Sequence, residues 1–249
     1  MTSGERSIKE KLVSETICSL DFVKSDLGDN PSEELTEENL AEYLKEIPGV
    51  KAAIKEKQPA LLYFYSPKTT TKQGRACRKL AKQDFFKGLD VKLGLTAQLF
   101  YCAKIDVTEI EEEDNPLFNI ESAPAMVVVD KGGTLVQQIA GDDIKGRSLQ
   151  AAMDKALKQS ELDPKTYLRD TTKHIKNIQK NEKKKIKLEA DLKKIEKEKK
   201  RAESANLTGI VTKLRKKEDS TKKKIEKLDK DIKKSSDLVS KCVNDFWLS

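Results

Sequence analysis

The side chains best suited to chemistry are four cysteines, Cys18, Cys77, Cys102 and Cys242, and they are too scattered to form a C-x-x-C pair. That spacing disfavours a disulfide framework or a zinc knuckle. Cys77 stands out because Arg75, Arg78 and Lys79 surround it in the chain. Nearby positive charge lowers a thiol's pKa and favours the thiolate, which opens glutathionylation or mixed-disulfide chemistry. The alternative is a cysteine at a helix start, packed like a small apolar residue. Cys102 falls in an apolar strand-like run and Cys242 on a helical seam, which are structural positions, and Cys18 offers no reading. His174 is the only histidine, which argues against Cys-His and Ser-His-Asp catalysis and against a metal site. The acidic run Glu109 to Asp114 lacks the EF-hand spacing and reads as a solvated loop. Neither KTTTKQG nor Lys131-Gly132-Gly133 fits a phosphate-binding loop, and no cofactor is expected.

The elements around Cys77 read as α/β. Ala60 to Ser66 (ALLYFYS) has the length and composition of a buried central strand, followed by Pro67, a polar loop and a helix from about Arg75 to Phe86. Leu99 to Val107 is a second strand. Met126 to Val129 and Leu135 to Ile139 flank Lys131-Gly132-Gly133 as a hairpin, and Leu149 to Leu157 closes the unit as an amphipathic helix. Upstream, Thr36 is a plausible N-cap for a helix with the stripe Leu40, Tyr43, Leu44 and Ile47; Pro48-Gly49 interrupts it, and a short helix covers Val50 to Lys57. Residues 1–35 read as an extension holding a peripheral helix or strand.

In this order, a parallel crossover followed by an antiparallel pair, the chain resembles the thioredoxin-like superfamily over roughly residues 36–160. Cys77-Arg78-Lys79-Leu80 resembles the second cysteine of the family's redox motif and its successors. Ser122-Ala123-Pro124-Ala125 before MVVVD resembles its cis-proline segment. Gly74 stands where the attacking cysteine belongs, and Tyr63 or a neighbour stands where catalytic members carry a buried acid. The loop Lys68 to Arg75 is about five residues longer than the family's. The resemblance thus implies the fold with its dithiol chemistry degenerate, and an extended-peptide site using Ala123, Pro124, Gly74 and Arg75.

Charge divides the chain. Lys and Arg number 22 against 28 Asp and Glu in residues 1–163, but 27 against 14 in residues 164–249. Beyond Pro164 the sequence has the composition of long helix. Val211, Leu214, Glu218, Thr221, Ile225, Leu228, Ile232, Ser235, Val239, Cys242 and Phe246 alternate spacings of three and four. The first arm is less regular, with Ile178, Leu188, Leu192, Ile195 and Ala202 on one seam and Ile175 and Ile186 off it. Polar seam residues, Lys185 and Lys199 among them, can select register or partner. A turn near residues 206–209 predicts an antiparallel coiled-coil hairpin over 165–246, with arms of about 35 residues and roughly 50 Å.

Lysine clusters, including Lys183, Lys184, Lys185, Lys216, Lys217, Lys222, Lys223 and Lys224, give that hairpin a basic surface. Between Tyr167 and Phe246 at their ends the arms carry no aromatic residue for base stacking, so nucleic acid is the less favoured partner and a protein partner the better one. A homodimer through the hairpin is a second form of that expectation. No run approaches the roughly 18 apolar residues of a membrane span, and the start MTSGERSIKE is too polar for a secretory signal, so a cytoplasmic protein is expected. The domains expected are an extension at 1–35, a thioredoxin-like domain at 36–162 and the hairpin. Function is expected to be non-catalytic binding or scaffolding. Single-cysteine redox through Cys77 and nonspecific nucleic-acid association are the alternatives.

Overall fold

The computed structural model describes residues 11–26, 37–108 and 123–248, with the side chains of 37–41 excepted. The acidic run at 109–114, the cap at Thr36 and Ser122 lie outside those residues. The chain divides into two compact units, one spanning residues 15–169 and the other residues 11–14 with 170–248.

The first unit is a five-stranded mixed sheet flanked by helices. Strand β1 (Val23–Ser25), β2 (Ala60–Tyr65), β3 (Tyr101–Asp106), β4 (Ala125–Val129) and β5 (Leu135–Ala140) lie in the order β1-β3-β2-β4-β5. Strands β1, β3 and β2 run parallel, and β4 and β5 are antiparallel to their neighbours. Strand β2 is central and therefore apolar on both faces. Leu62 and Phe64 enter a core with Leu44, Ile47 and Val50 of helices α2 (Glu37–Glu46) and α3 (Pro48–Lys55). Leu61 and Tyr63, alternating with them, face the other way. That second face is covered by α4 (Lys72–Leu80) and α6 (Gly146–Gln159).

Three boundaries differ from the sequence reading. Residues 13–25, read as part of an extension, form helix α1 (Val13–Cys18) and edge strand β1, which pairs Val23 with Ala103 and buries Leu20 nearby. Helix α4 runs Lys72–Leu80 rather than Arg75 to Phe86: the Thr71 hydroxyl accepts from the Gly74 amide at 3.0 Å and caps an earlier first turn, and the chain passes into turns after Leu80. Helix α5 (Val91–Ala97) has no counterpart in the reading. Asp90 caps it through the Leu93 amide at 3.1 Å.

The second unit contains most of α7 (Lys165–Ser204) and all of α8 (Thr208–Leu248). Forty residues at 1.5 Å each give arms of about 60 Å, longer than expected. Residues 205–207 make the turn, with Asn206 in the left-handed region at φ 55°. Lys185 meets Asp229 at 2.6 Å, Lys199 pairs with Glu218, and Glu203 meets Arg215 at 3.7 Å, so the arms pair antiparallel. All eleven expected seam positions of α8 are buried or half-buried. The seam of α7 runs Thr171, Ile175, Ile178, Glu182, Lys185, Leu188, Leu192, Ile195, Lys199, Ala202. Ile175 is fully buried and belongs to it, contrary to the reading, while Ile186 is exposed as expected. Two consecutive spacings of three, at Glu182 to Lys185 to Leu188, shift the heptad phase, so one unbroken register cannot hold both Ile175 and Leu188. At that shift Glu182 is buried and accepts from the Ser14 hydroxyl at 2.6 Å and the Ser14 amide at 3.2 Å.

Candidate functional site

The residues singled out around Cys77 converge on α4. Strand β2 delivers Tyr65 and Ser66 to the sheet's edge, and the chain then turns through residues 68–71. The Lys68 carbonyl accepts from the Thr71 amide at 3.1 Å and from the Thr71 hydroxyl at 2.8 Å. This folds the loop back onto Gly74. A Cβ placed on Gly74 would stand 2.0 Å from the Lys68 carbonyl oxygen and 2.5 Å from its carbon. The position matching an attacking cysteine is therefore closed by backbone, and no side chain fits there without moving the loop.

Cys77 is the sixth residue of α4, beyond the unpaired amides of the first turn, and only 6 % exposed. Burial pushes its thiol pKa up; hydrogen bonds from the Ser66 amide, at 3.4 Å, and from the Tyr63 hydroxyl offset this only in part. Two of the neighbouring cations, which would lower it, are engaged elsewhere. Arg75 turns onto the loop and donates to the Thr70 carbonyl at 2.8 Å, and Lys79 pairs with Asp142 at 3.3 Å. Tyr63, where an acid was sought, is itself buried, and burial first and the Cys77 thiol second push its pKa up. Burial also raises the Cys18 and Cys102 thiols to about 12, and Cys242, half-buried on the hairpin seam, is raised by burial and then by Asp170.

Two grooves flank α4. One, of about 470 Å³, is lined by Ala123, Pro124 and Gly141 on the sheet side and by Lys72, Ala76 and Lys145 opposite. The Ala123–Pro124 peptide bond is cis, and the Pro124 carbonyl accepts from the Gly141 amide at 2.8 Å. The other groove, of about 460 Å³, includes Gly74, Ser66, Cys77 and Lys104. The four expected peptide contacts are thus not brought together: Ala123 and Pro124 line one groove, Gly74 lines the other, and Arg75 is held on the loop.

Sequence reasoning missed the aromatic lining of the second groove. Tyr63 stacks 5.7 Å from Tyr65, and its ring lies 5.5 Å from Phe22 and 5.4 Å from Phe86. The one usable signal was the i, i+2 spacing of Tyr63 and Tyr65 on a strand, which puts both on one face. Phe22 carried no signal, lying forty residues upstream in the supposed extension.

The expected basic surface splits in two. Lys185 lies on the seam, paired with Asp229, and Lys222 bonds Glu218 at 2.6 Å, so both belong to the hairpin's internal ion pairs. Lys183, Lys184, Lys216, Lys217, Lys223 and Lys224 are exposed and form no ion pair among the described residues. Also among the described residues, no group of three His, Cys, Asp or Glu is placed to hold a metal, and no helix is long and apolar enough to cross a membrane. The chain matches no family model, no curated protein and no solved structure.

Proposed function

We propose that this chain is a non-catalytic, thioredoxin-like binding module that presents its basic hairpin to a protein partner. The observation that carries the non-catalytic half is Gly74. A dithiol needs a second sulfur within reach of Cys77, and the Lys68 carbonyl occupies the space that sulfur requires. The remaining thiol is buried and its pKa is raised, which disfavours the thiolate that single-cysteine exchange needs. The sheet order, with a parallel crossover, an antiparallel pair and a cis-proline at the start of β4, supports the thioredoxin-like reading. The groove at Pro124, edged by Lys72 and Lys145, suits an extended acidic peptide.

The hairpin half rests on Lys216, Lys223 and Lys224, exposed along α8 and free for an acidic partner such as a second coiled coil, with a paired copy of this chain as the symmetric variant. Cytoplasmic residence fits a protein with buried, unpaired thiols. Insulin reduction by the full chain, with dithiothreitol as reductant, tests the first half: no turnover above the reductant alone is expected, and thiol-dependent turnover refutes it. For the second half, partners retained on the immobilised chain should be lost when Lys216, Lys223 and Lys224 are changed to Glu. Retention of duplex DNA instead, with a steep salt dependence, would favour nucleic acid.

A further inference from the structure

The aromatic groove beside α4 holds a polar group that the fold does not use. Ser66 is only 4 % exposed, and its hydroxyl has no hydrogen-bond partner among the described residues, although its amide donates to the Cys77 sulfur. A buried hydroxyl without a partner carries its desolvation cost uncompensated. The groove runs beside α4 from Asp21 and Phe22, just before β1, past Tyr63 and Lys104 to Ser66, just after β2. Its volume of about 460 Å³ falls within the range of small-molecule sites.

The lining is chemically one-sided. Its walls are the rings of Phe22, Tyr63, Tyr65 and Phe86, with centroids between 5.4 and 5.9 Å apart in four adjoining pairs. Such walls accept a flat apolar body by stacking. Two cations stand at the groove, Arg78 from α4 and Lys104 from β3, against one carboxylate, Asp21. The Lys104 ammonium lies 5.9 Å from the Tyr65 ring centroid, which holds its charge over an aromatic wall. A hydroxyl and two cations together select an anionic oxygen group on that flat body.

We propose that this groove binds a small planar aromatic carboxylate, its ring among Phe22, Tyr65 and Phe86 and its carboxylate on Lys104, Arg78 and the Ser66 hydroxyl. The site is independent of the hairpin and of the Pro124 groove, and it requires no reaction at Cys77.

The test is amide chemical-shift titration of the full chain with 2-naphthoate, beside 2-naphthylmethylammonium as a cation of the same shape. Saturable shifts at Ser66, Cys77 and Lys104 with 2-naphthoate, and a weaker response to the cation, are expected. Ser66→Ala separates binding from folding: its hydroxyl has no partner to lose, so the variant should be as stable as the parent while its affinity falls about tenfold. Lys104→Met, which keeps the aliphatic stem, should weaken binding severalfold. No saturable shift at millimolar 2-naphthoate, an equal response to the cation, or parental affinity in Ser66→Ala would each overturn the proposal. Insulin turnover leaves it untouched, so the two readings fail separately.

Discussion

Replacing Gly74 by Ala puts the closure of this position by the Lys68 carbonyl to a test of sign. Gly74 lies in the first turn of α4, where Ala is ordinarily better than Gly by about 1 kcal/mol. Here the new methyl would lie 2.0 Å from the Lys68 carbonyl oxygen, some 1.5 Å inside an ordinary carbon contact of about 3.5 Å. Relief requires the loop to move. Movement strains the two hydrogen bonds that the Lys68 carbonyl accepts from Thr71, worth about 1 kcal/mol each, and the Thr71 cap on the Gly74 amide, worth about 1 kcal/mol. Set against the propensity gain, a net loss of about 1–2 kcal/mol is expected. All five tyrosines lie in residues 15–169 and the single tryptophan, Trp247, lies in the hairpin, so tyrosine near-ultraviolet dichroism and tryptophan fluorescence follow the two units separately during urea unfolding. The tyrosine midpoint should fall with its slope unchanged. Gly209→Ala is the control, because nothing lies within 4 Å of its added methyl, and it should raise the hairpin's stability, followed by tryptophan fluorescence, by about 0.5–1 kcal/mol. A Gly74→Ala protein more stable than the parent would refute the closure, and with it the argument that no second sulfur fits at this position.

Other expectations concern the thiols and the hairpin. Alkylation mapped by mass spectrometry should modify Cys242 well before Cys77 and Cys18, with Cys77 reacting appreciably only at alkaline pH; a Cys77 rate already maximal near neutrality contradicts the burial argument. Glu218 is held at about 2, chiefly by hydrogen bonds from Lys199 and then Lys222, against an ordinary 4.5. A depressed carboxylate stabilises the fold above its unfolded pKa, and that contribution disappears as the pH falls towards the folded one. Thermal stability of the hairpin should therefore decline between about pH 4.5 and 2, and Glu218→Gln should flatten that decline; an unchanged slope would sink the assignment. Ile232→Ala, on the seam, should cost about 2–4 kcal/mol, whereas Ile186→Ala, half exposed and off it, should stay within about 0.5 kcal/mol. Equal effects at the two sites would mean that the seam has been drawn on the wrong face.

Much of the frame was legible because it is periodic. The unbroken apolar run of β2, the hairpin signal at Lys131-Gly132-Gly133 and the three-four spacing of α8 are properties of the local chain, and each appears where its pattern put it. Local reading failed where contacts jump in sequence. Phe22 and β1 join the sheet through β3, about eighty residues later, and three residues supply too short a pattern to announce a strand. Ile175 was misplaced because a heptad was extrapolated through a phase shift that only the packing of the arms exposes.

The amino-acid sequence by itself determined that no C-x-x-C motif exists, that charge is divided between an acidic first part and a basic second, and that the latter is long helix. Composition and spacing suffice for such conclusions. The state of Cys77 was decided by the tertiary structure. In the sequence it stands among three cations, but in space two of those are engaged elsewhere, and apolar atoms desolvate the sulfur. Gly74 likewise reads in the sequence as an open position until the Lys68 carbonyl is found against it. Desolvation and steric closure depend on which atoms of distant residues fill the surrounding few ångströms, and spacing along the chain carries no record of them.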